Sequence, residues 1–147
     1  MLVQDAMSRD VRTVSPETSI KEAARIMADA DVGALPVAAG DRLAGMVTDR
    51  DIAIRGVAVG KSPDCTVGEV MTHDVLYCHE DEDLGHISQN MAENQVRRLP
   101  VVDVDKRLVG IISLADIADA RSAEAGEALE GITRPGGERS QSIEGRA

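Results

Sequence analysis

The chain has 147 residues, 43% of them hydrophobic, so it is long enough to bury a sizeable core. Tyr77 is its only aromatic residue, which means that the core must be aliphatic and that no aromatic platform exists for stacking single-stranded nucleic acid. The 16 basic and 26 acidic residues give a net charge of −10, which argues against a phosphate-backbone partner, so we predict that the protein does not bind nucleic acid.

The N-terminal residues carry no recognisable targeting signal. Residues 1–5 include an early acid and no apolar segment of the secretory kind. No apolar run in the sequence approaches the roughly 20 residues needed to span a membrane. The sequence therefore predicts a cytoplasmic protein with no membrane contact.

One internal repeat covers most of the chain. A shift of 64 residues superposes residues 3–37 on 67–101, with Val-x-Asp/Glu-x-Met at each start and Leu-Pro-Val at each end. After one extra residue near Lys106, a shift of 65 superposes Gly45 on Gly110. The repeat continues to about residue 120.

The repeat divides the chain into three parts. Repeat 1 comprises residues 1–61, repeat 2 comprises residues 62–121, and a polar tail comprises residues 122–147. We predict that the tail is mobile, because glycines and a proline interrupt its helical pattern. The tetrapeptide Ile-Glu-Gly-Arg at 143–146 matches a protease-cleavage sequence common in engineered proteins, so it supports no functional inference.

Both repeats predict the same elements in the same order. Each begins with a short strand and a helix with apolar residues at helical spacing, followed by two strands separated by a polar turn and by a final helix. The predicted strands are residues 11–14, 35–37 and 43–47 in repeat 1 and residues 75–78, 99–102 and 108–112 in repeat 2. One such unit is too small to bury its own sheet well. We therefore predict an α/β fold in which two βαββα repeats pack sheet to sheet as one module.

A further motif, Gly-x-x-Thr/Ser-x-x-Asp, occurs in each repeat where a strand leads into a helix. Its polar residues are Thr48 and Asp51 in repeat 1 and Ser113 and Asp116 in repeat 2. A helix N-terminus suits phosphate, a hydroxyl adds a donor, and an ionised carboxylate can accept from both hydroxyls of a ribose. The motif thus indicates a nucleotide site. The alternative is a capping box that only ties down the helix start.

Together these motifs resemble the tandem cystathionine-beta-synthase (CBS) domain family, in which two repeats pair into one regulatory module. The resemblance covers residues 3–120 and rests on three motifs, each present twice in the same order. Residues 31–37, 48–51 and 95–101 look especially like small stand-alone bacterial members. Some of those members are linked to hypoxic or stress responses.

The resemblance implies an adenosine-nucleotide pocket in each repeat. In the family the aspartate holds the ribose hydroxyls, the Thr or Ser hydroxyl contacts phosphate, and apolar strand residues enclose the adenine. Carried over to this chain, the pocket residues are Thr48, Asp51, Val11, Val14, Val32, Leu35 and Val37 in repeat 1 and Ser113, Asp116, Val75, Cys78, Val96, Leu99 and Val101 in repeat 2.

Basic residues just before the Leu-Pro-Val strand often sense phosphate in this family. Arg97 and Arg98 hold that position in repeat 2, whereas repeat 1 has Gly33 and Ala34 there. Arginine suits the role because its fork grips phosphate oxygens with two hydrogen bonds. The alternative for both arginines is a solvated, ion-paired strand edge. The two pockets therefore need not be equivalent.

The resemblance also implies a homodimer and, since no effector domain is evident, an effector protein that responds in trans. We expect AMP, ADP or ATP as the ligand, no required cofactor and no enzymatic activity, because no catalytic motif is present. One alternative is an interaction scaffold with empty pockets. Another is a redox or metal sensor built on Cys65, Cys78 and the histidines, although no recognised ligand spacing supports a metal site.

Overall fold

A computed structural model of the protein describes residues 1–122. Apart from its first residue, the tail predicted at 122–147 lies outside the described residues, and so does the cleavage-like sequence near its end. None of the helices within residues 1–122 is long and apolar enough to cross a membrane.

The predicted long helices and β-hairpins form in both repeats, and a short helix that was not predicted precedes each set. Repeat 1 contains α1 (Val3–Ala6), α2 (Ile20–Ala30), β1 (Ala34–Ala39), β2 (Arg42–Thr48) and α3 (Asp49–Asp51), which continues as a π-helix (Ile52–Gly56) and a 3-10 turn (Val57–Val59). Repeat 2 contains α4 (Val67–Val70), β3 (Cys78–His79), α5 (Leu84–Asn94), β4 (Arg98–Val102), β5 (Leu108–Ser113) and α6, which is helical over residues 114–122. The predicted α/β fold is confirmed.

The long helices α2 and α5 begin and end on matching local signals. Ser19 caps α2 and Asp83 caps α5 by accepting hydrogen bonds from backbone N–H groups of the first turn. Asp31 and Gln95 end these helices in the left-handed conformation, with φ angles of 56° and 55°. The residues that each helix buries are Ile20, Ala23 and Met27 in α2 and Leu84, Ile87 and Met91 in α5. The two helices therefore hold equivalent places in the two repeats.

Each repeat builds a small sheet around its hairpin. β1 pairs antiparallel with β2, and β4 pairs antiparallel with β5. A short parallel edge completes each sheet, where Cys78 aligns with Val101 and where Val14 alone bridges to Val37. The strands predicted to end at Val14 and Cys78 are thus much shorter than expected, because the residues before them cross from one sheet to the other.

The start of each repeat joins the edge of the other repeat's sheet. Ser8 exchanges two backbone hydrogen bonds with Ile111 of β5, at 2.9 and 3.0 Å. Thr72 does the same with Met46 of β2, at 2.8 and 3.0 Å. As a result, α1 packs with the second repeat and α4 packs with the first.

Two aliphatic clusters form the core, and each contains residues of both repeats. The first comprises Val14, Ile20, Ala23, Met27, Leu35, Val37, Val47, Val67, Val70 and Met71. The second comprises Val3, Cys78, Leu84, Ile87, Met91, Leu99, Val101, Ile112 and Ile117. The repeat boundary near residue 61 therefore does not separate the two clusters.

The glycine of the Gly-x-x-Thr/Ser-x-x-Asp motif lies where the N-terminal segment of one repeat crosses the sheet of the other repeat. A side-chain carbon on Gly45 would collide with the carbonyl oxygen of Thr72. On Gly110 it would lie 2.8 Å from the carbonyl oxygen of Ser8 and 2.7 Å from the sulfur of Met7. The motif requires glycine at this point because another backbone approaches closely.

Candidate functional site

Both motif turns form complete capping boxes. The Thr48 hydroxyl accepts a hydrogen bond from the Asp51 amide, and Asp51 Oδ2 accepts one from the Thr48 amide, each at 3.0 Å. The matching bonds of Ser113 and Asp116 are 3.1 and 3.0 Å long. Both turns therefore cap the start of the helix that follows, a role that leaves room for a ligand beside them. Each box uses only Oδ2, so the second carboxylate oxygen, Oδ1, can serve another partner.

A cavity of about 390 Å³ opens beside Ser113 and Asp116, and this volume lies in the range of small-molecule sites. Residues of both repeats line the cavity. Repeat 1 contributes Ser8, Asp10, Val11, Arg12, Ala30, Val32, Ala34, Leu35 and Pro36, and repeat 2 contributes Arg98, Ile111, Ser113 and Asp116. The pairing of Ser8 with Ile111 explains this mixture, because it brings residues 9–12 alongside the turn between β5 and α6.

Some residues of the cavity lining are apolar, and others can bind hydroxyl groups. Val11, Val32 and Leu35, here called the apolar wall, line the cavity. Leu35 is buried, whereas Val11 and Val32 are partly exposed and offer aliphatic surface for a flat ring. Asp116 offers a carboxylate that only accepts hydrogen bonds, whereas the hydroxyl of Ser113 can also donate one. These groups suit a ligand with an apolar ring and a pair of hydroxyls.

Two arginines add positive charge to this site in an acidic protein. Arg12 and Arg98, here called the arginine pair, both line the cavity. Each carries a permanently charged fork that suits phosphate or carboxylate. The lining also contains two acidic residues, Asp10 and Asp116. The lining therefore carries two cations and two carboxylates, so it can bind an anionic group through the arginine pair and hydroxyls through an aspartate.

The structure brings together residues that the sequence analysis assigned to two separate pockets. Of the predicted site residues, Val11, Val32, Leu35, Arg98, Ser113 and Asp116 line the cavity. Those that do not line it are Thr48, Asp51, Arg97, Val14, Val37, Val75, Cys78, Val96, Leu99 and Val101. Val14, Val37, Cys78, Leu99 and Val101 are buried members of the two core clusters. The apolar wall beside Asp116 thus comes from repeat 1, not from its own repeat.

Sequence reasoning missed several lining residues, of which Arg12 carries the most chemistry. Ser8, Asp10, Ala30, Ala34, Pro36 and Ile111 were missed as well. One signal was visible, because the 64-residue shift superposes Arg12 on Leu76 and so marks a charge that only one repeat has. Nothing local, however, indicates that Arg12 lies near Asp116, since the two belong to different repeats.

Asp51 differs from Asp116 because a cation already occupies its second oxygen. Arg55 Nη2 lies 2.6 Å from Asp51 Oδ1 and 3.0 Å from the Thr72 hydroxyl. The Asp51 side chain is only 10% exposed, so this ion pair is partly buried. The 65-residue shift places Ala120 at the position of Arg55. Among residues 1–122, Asp116 accordingly forms no ion pair.

The groups that suggested a redox or metal sensor do not come together. Cys65 and Cys78 are both free and lie against different core clusters. In the part of the chain that the structure describes, no three His, Cys, Asp or Glu side chains form a group that could hold a metal ion. The Cys78 thiol is 1% exposed and donates to the Pro100 carbonyl at 3.8 Å.

We expect the Cys78 thiol to resist labelling in the folded protein. Burial raises the pKa of Cys78 from 9.0 to about 12, and the Glu82 carboxylate adds to this shift. Because the thiolate is the reactive species, an aromatic disulfide reagent at pH 8 should modify a Cys65→Ala variant only after denaturant is added. Equal labelling rates with and without denaturant would contradict this and favour a redox role.

The raised pKa of Cys78 also predicts how the stability of the protein depends on pH. As pH rises above 9, the Cys78 thiol of the unfolded chain loses its proton before that of the folded chain, so stability should fall.

Residues 3–56 and 67–123 each match the family model of the CBS domain. The chain therefore belongs to the CBS domain family, as its motifs indicated. The CBS domain-containing protein YhcV of Bacillus subtilis is 44% identical to it over 133 residues, which cover 89% of this chain and 94% of YhcV. Hypoxic response protein 1 of Mycobacterium tuberculosis is 41% identical over 117 residues, covering 78% of this chain and 81% of that protein.

Solved structures of CBS domain pairs have the same fold. CBSX2 in complex with AMP has a TM-score of 0.76 and 28% identity, covering 84% of this chain and 98% of CBSX2. The CBS domain pair of MJ0100, in complex with methylthioadenosine and S-adenosyl-L-methionine, has a TM-score of 0.71 and 33% identity, covering 84% and 98%. Hypoxic response protein I, solved with two coordinated zinc ions, has a TM-score of 0.74 and 40% identity, covering 81% and 98%.

Proposed function

We propose that the protein is a regulatory module that binds an adenosine nucleotide, AMP, ADP or ATP, in the cavity beside Ser113 and Asp116. The observation that carries this proposal is the composition of that one cavity, which combines an aspartate, an arginine pair and an apolar wall. A nucleotide presents a partner for each of them, namely ribose hydroxyls, phosphate and a flat base. The adenosine ligands of CBSX2 and MJ0100 support the same ligand class.

Each group has a definite role in this proposal. Asp116 accepts from the ribose hydroxyls through Oδ1, because its Oδ2 already caps α6. The Ser113 hydroxyl accepts from the Asp116 amide and therefore has its own proton free to donate to phosphate. The apolar wall encloses the adenine, and the arginine pair binds phosphate oxygens. No residue in this set is assigned a catalytic role, and we propose that the module is not an enzyme.

The location of the cavity suggests how occupancy could be reported. Its lining comes from both repeats, so a bound ligand contacts both and favours the arrangement in which they fit it. By linkage, a partner responds only if it binds the two arrangements unequally. We propose that this partner is an effector protein acting in trans, that the module is a homodimer, and that it acts in the cytoplasm during a stress response, as the hypoxic-response relative suggests.

Thermal unfolding with AMP, ADP and ATP tests the proposal. At 100 times its dissociation constant, a nucleotide should stabilise the protein by about 2.7 kcal/mol. Asp116→Asn should abolish this stabilisation, because an amide can still cap α6 but loses the charge that holds two hydroxyls. The matched control is Asp119→Asn, an exposed change on the same helix, which should leave the nucleotide effect intact. No stabilisation by any of the three nucleotides at millimolar concentration would refute the nucleotide function.

The arginine pair also predicts a preference among adenosine ligands. Methylthioadenosine has no anionic group, and S-adenosylmethionine has one carboxylate beside a positive sulfonium and an ammonium group, so both gain less from two nearby guanidinium groups than a nucleotide phosphate does. We therefore propose that phosphorylated adenosines bind more tightly than either of them.

The scaffold alternative retains one specific observation in its favour. Both motif turns are complete capping boxes, so their polar residues already have a structural role without a ligand. This alternative expects a partner protein to bind equally well with and without nucleotide. Pull-down of the same partner at both conditions would distinguish it from the sensor.

A further inference from the structure

We infer that Arg55 closes the second, related site at Asp51, so that each chain takes one adenosine ligand, in the cavity beside Asp116. This inference rests on the proposed nucleotide function and concerns which of the two motif turns can bind a nucleotide. Its basis is one difference between the repeats, namely that Arg55 of repeat 1 corresponds to Ala120 of repeat 2.

The two motif turns are framed by equivalent residues. Asp51 faces Thr72, which pairs with β2, and Asp116 shares its cavity with Ser8, which pairs with β5. The 64-residue shift superposes Ser8 on Thr72. Around Asp116, the space between these two positions belongs to the cavity. Around Asp51, the Arg55 guanidinium spans the corresponding space, with hydrogen bonds to the aspartate and to the threonine.

Arg55 takes the atom that a ribose would need. Asp51 Oδ2 accepts from the Thr48 amide, and Asp51 Oδ1 lies 2.6 Å from Arg55 Nη2. A ligand must therefore displace a charge-assisted hydrogen bond from a largely buried carboxylate before its hydroxyls can bind. Freeing that carboxylate without an equal replacement is unfavourable, because a buried charge would lose its partner.

The positions of the other arginines also favour the cavity beside Asp116 over the site at Asp51. Arg12 and Arg98 line the Asp116 cavity, and their counterparts by the 64-residue shift are Leu76 and Ala34. The positions that correspond to the arginine pair therefore hold no cation in the site at Asp51, where the nearby arginines are Arg50 and Arg55 of the following helical segment. Conversely, position 120 holds alanine, whose side chain packs against the second core cluster and leaves Asp116 without a cation of this kind.

Titration calorimetry of the full chain with AMP, ADP and ATP in turn tests this inference by counting ligands per chain. We expect wild type to bind one and Asp116→Asn to bind none. Arg55→Ala should bind two, with the additional site the weaker because it lacks the arginine pair. The double variant Arg55→Ala with Asp116→Asn should bind one, which locates the new site at Asp51. Arg50→Ala, an exposed change in the same helical turn, is the control and should bind one.

The outcomes separate the inference from the function on which it rests. Two ligands per wild-type chain would mean that Arg55 moves aside to bind phosphate, and this would overturn the closure while leaving nucleotide binding intact. One ligand on both wild type and Arg55→Ala would also overturn it. A wild type and an Arg55→Ala variant that bind no nucleotide at all would refute the proposed function and the inference together.

Discussion

Gly45→Ala is expected to destabilise the protein by about 3 kcal/mol and to lower Tm by roughly 10 °C. The new methyl group would collide with the carbonyl oxygen of Thr72, which is backbone and is held by hydrogen bonds to Met46. Relief requires the segment from repeat 2 to move away from β2, and this would withdraw its neighbour Met71 from the first core cluster. Thermal or urea unfolding measures the loss.

Two other glycine variants separate this collision from the general effect of a methyl group. Gly40 has a φ of 67° and open space around it, so Gly40→Ala should cost only about 1 kcal/mol of backbone strain. Gly110→Ala should fall between the other two variants, because the carbonyl oxygen of Ser8 would lie 2.8 Å from the new methyl group, farther than the oxygen of Thr72 at Gly45. If Gly45→Ala were no less stable than Gly40→Ala, the carbonyl oxygen of Thr72 could not lie as close to Gly45 as the structure places it.

Val3→Asp is expected to destabilise the protein by about 4 kcal/mol or more, and Val3→Ala by about 2 kcal/mol. Val3 has no exposed surface and packs in the second core cluster, among residues of repeat 2. A carboxylate at this place must either stay charged in an aliphatic environment or bind a proton, and both are unfavourable. Urea unfolding at pH 7 measures the difference.

The control for this substitution is the same change at an exposed valine. Val59 is 65% exposed, so Val59→Asp should change stability by no more than about 0.5 kcal/mol. An effect at Val3 as small as that at Val59 would show that α1 does not dock on the second repeat. A large effect supports the exchange of N-terminal segments, because the other buried members of the cluster that contains Val3 all belong to repeat 2.

Local patterns predicted most of the fold. The long helices, the two hairpins and the polar residues at each motif turn could be predicted because they depend on periodicity and capping within a few residues of the chain. The strands ending at Val14 and Cys78 were predicted too long. Their hydrophobic pattern is real, but only these last residues and His79 meet a paired strand.

The candidate site was predicted in part. The motif identified Ser113 and Asp116 by residue type and spacing, and Arg98 by its position before a strand. The sequence analysis grouped the apolar wall with Asp51, whereas in the structure it shares a cavity with Asp116, because the N-terminal segments exchange sheets and no sequence motif indicates that exchange. The pairing of Arg55 with Asp51 was not predicted either, although the two residues are only four positions apart.

The amino-acid sequence by itself determined that the protein consists of two related α/β repeats, with a capped, polar turn in each and family membership that follows from those motifs. Only the tertiary structure decided which repeat supplies the wall facing each turn, why Gly45 and Gly110 must be glycine, and that Arg55 pairs with Asp51 while Asp116 remains in an open cavity. The physical reason is distance along the chain. Capping and periodicity join near neighbours, whereas the bonds of Ser8 to Ile111 and of Arg55 to Thr72 form only once the two repeats have packed together.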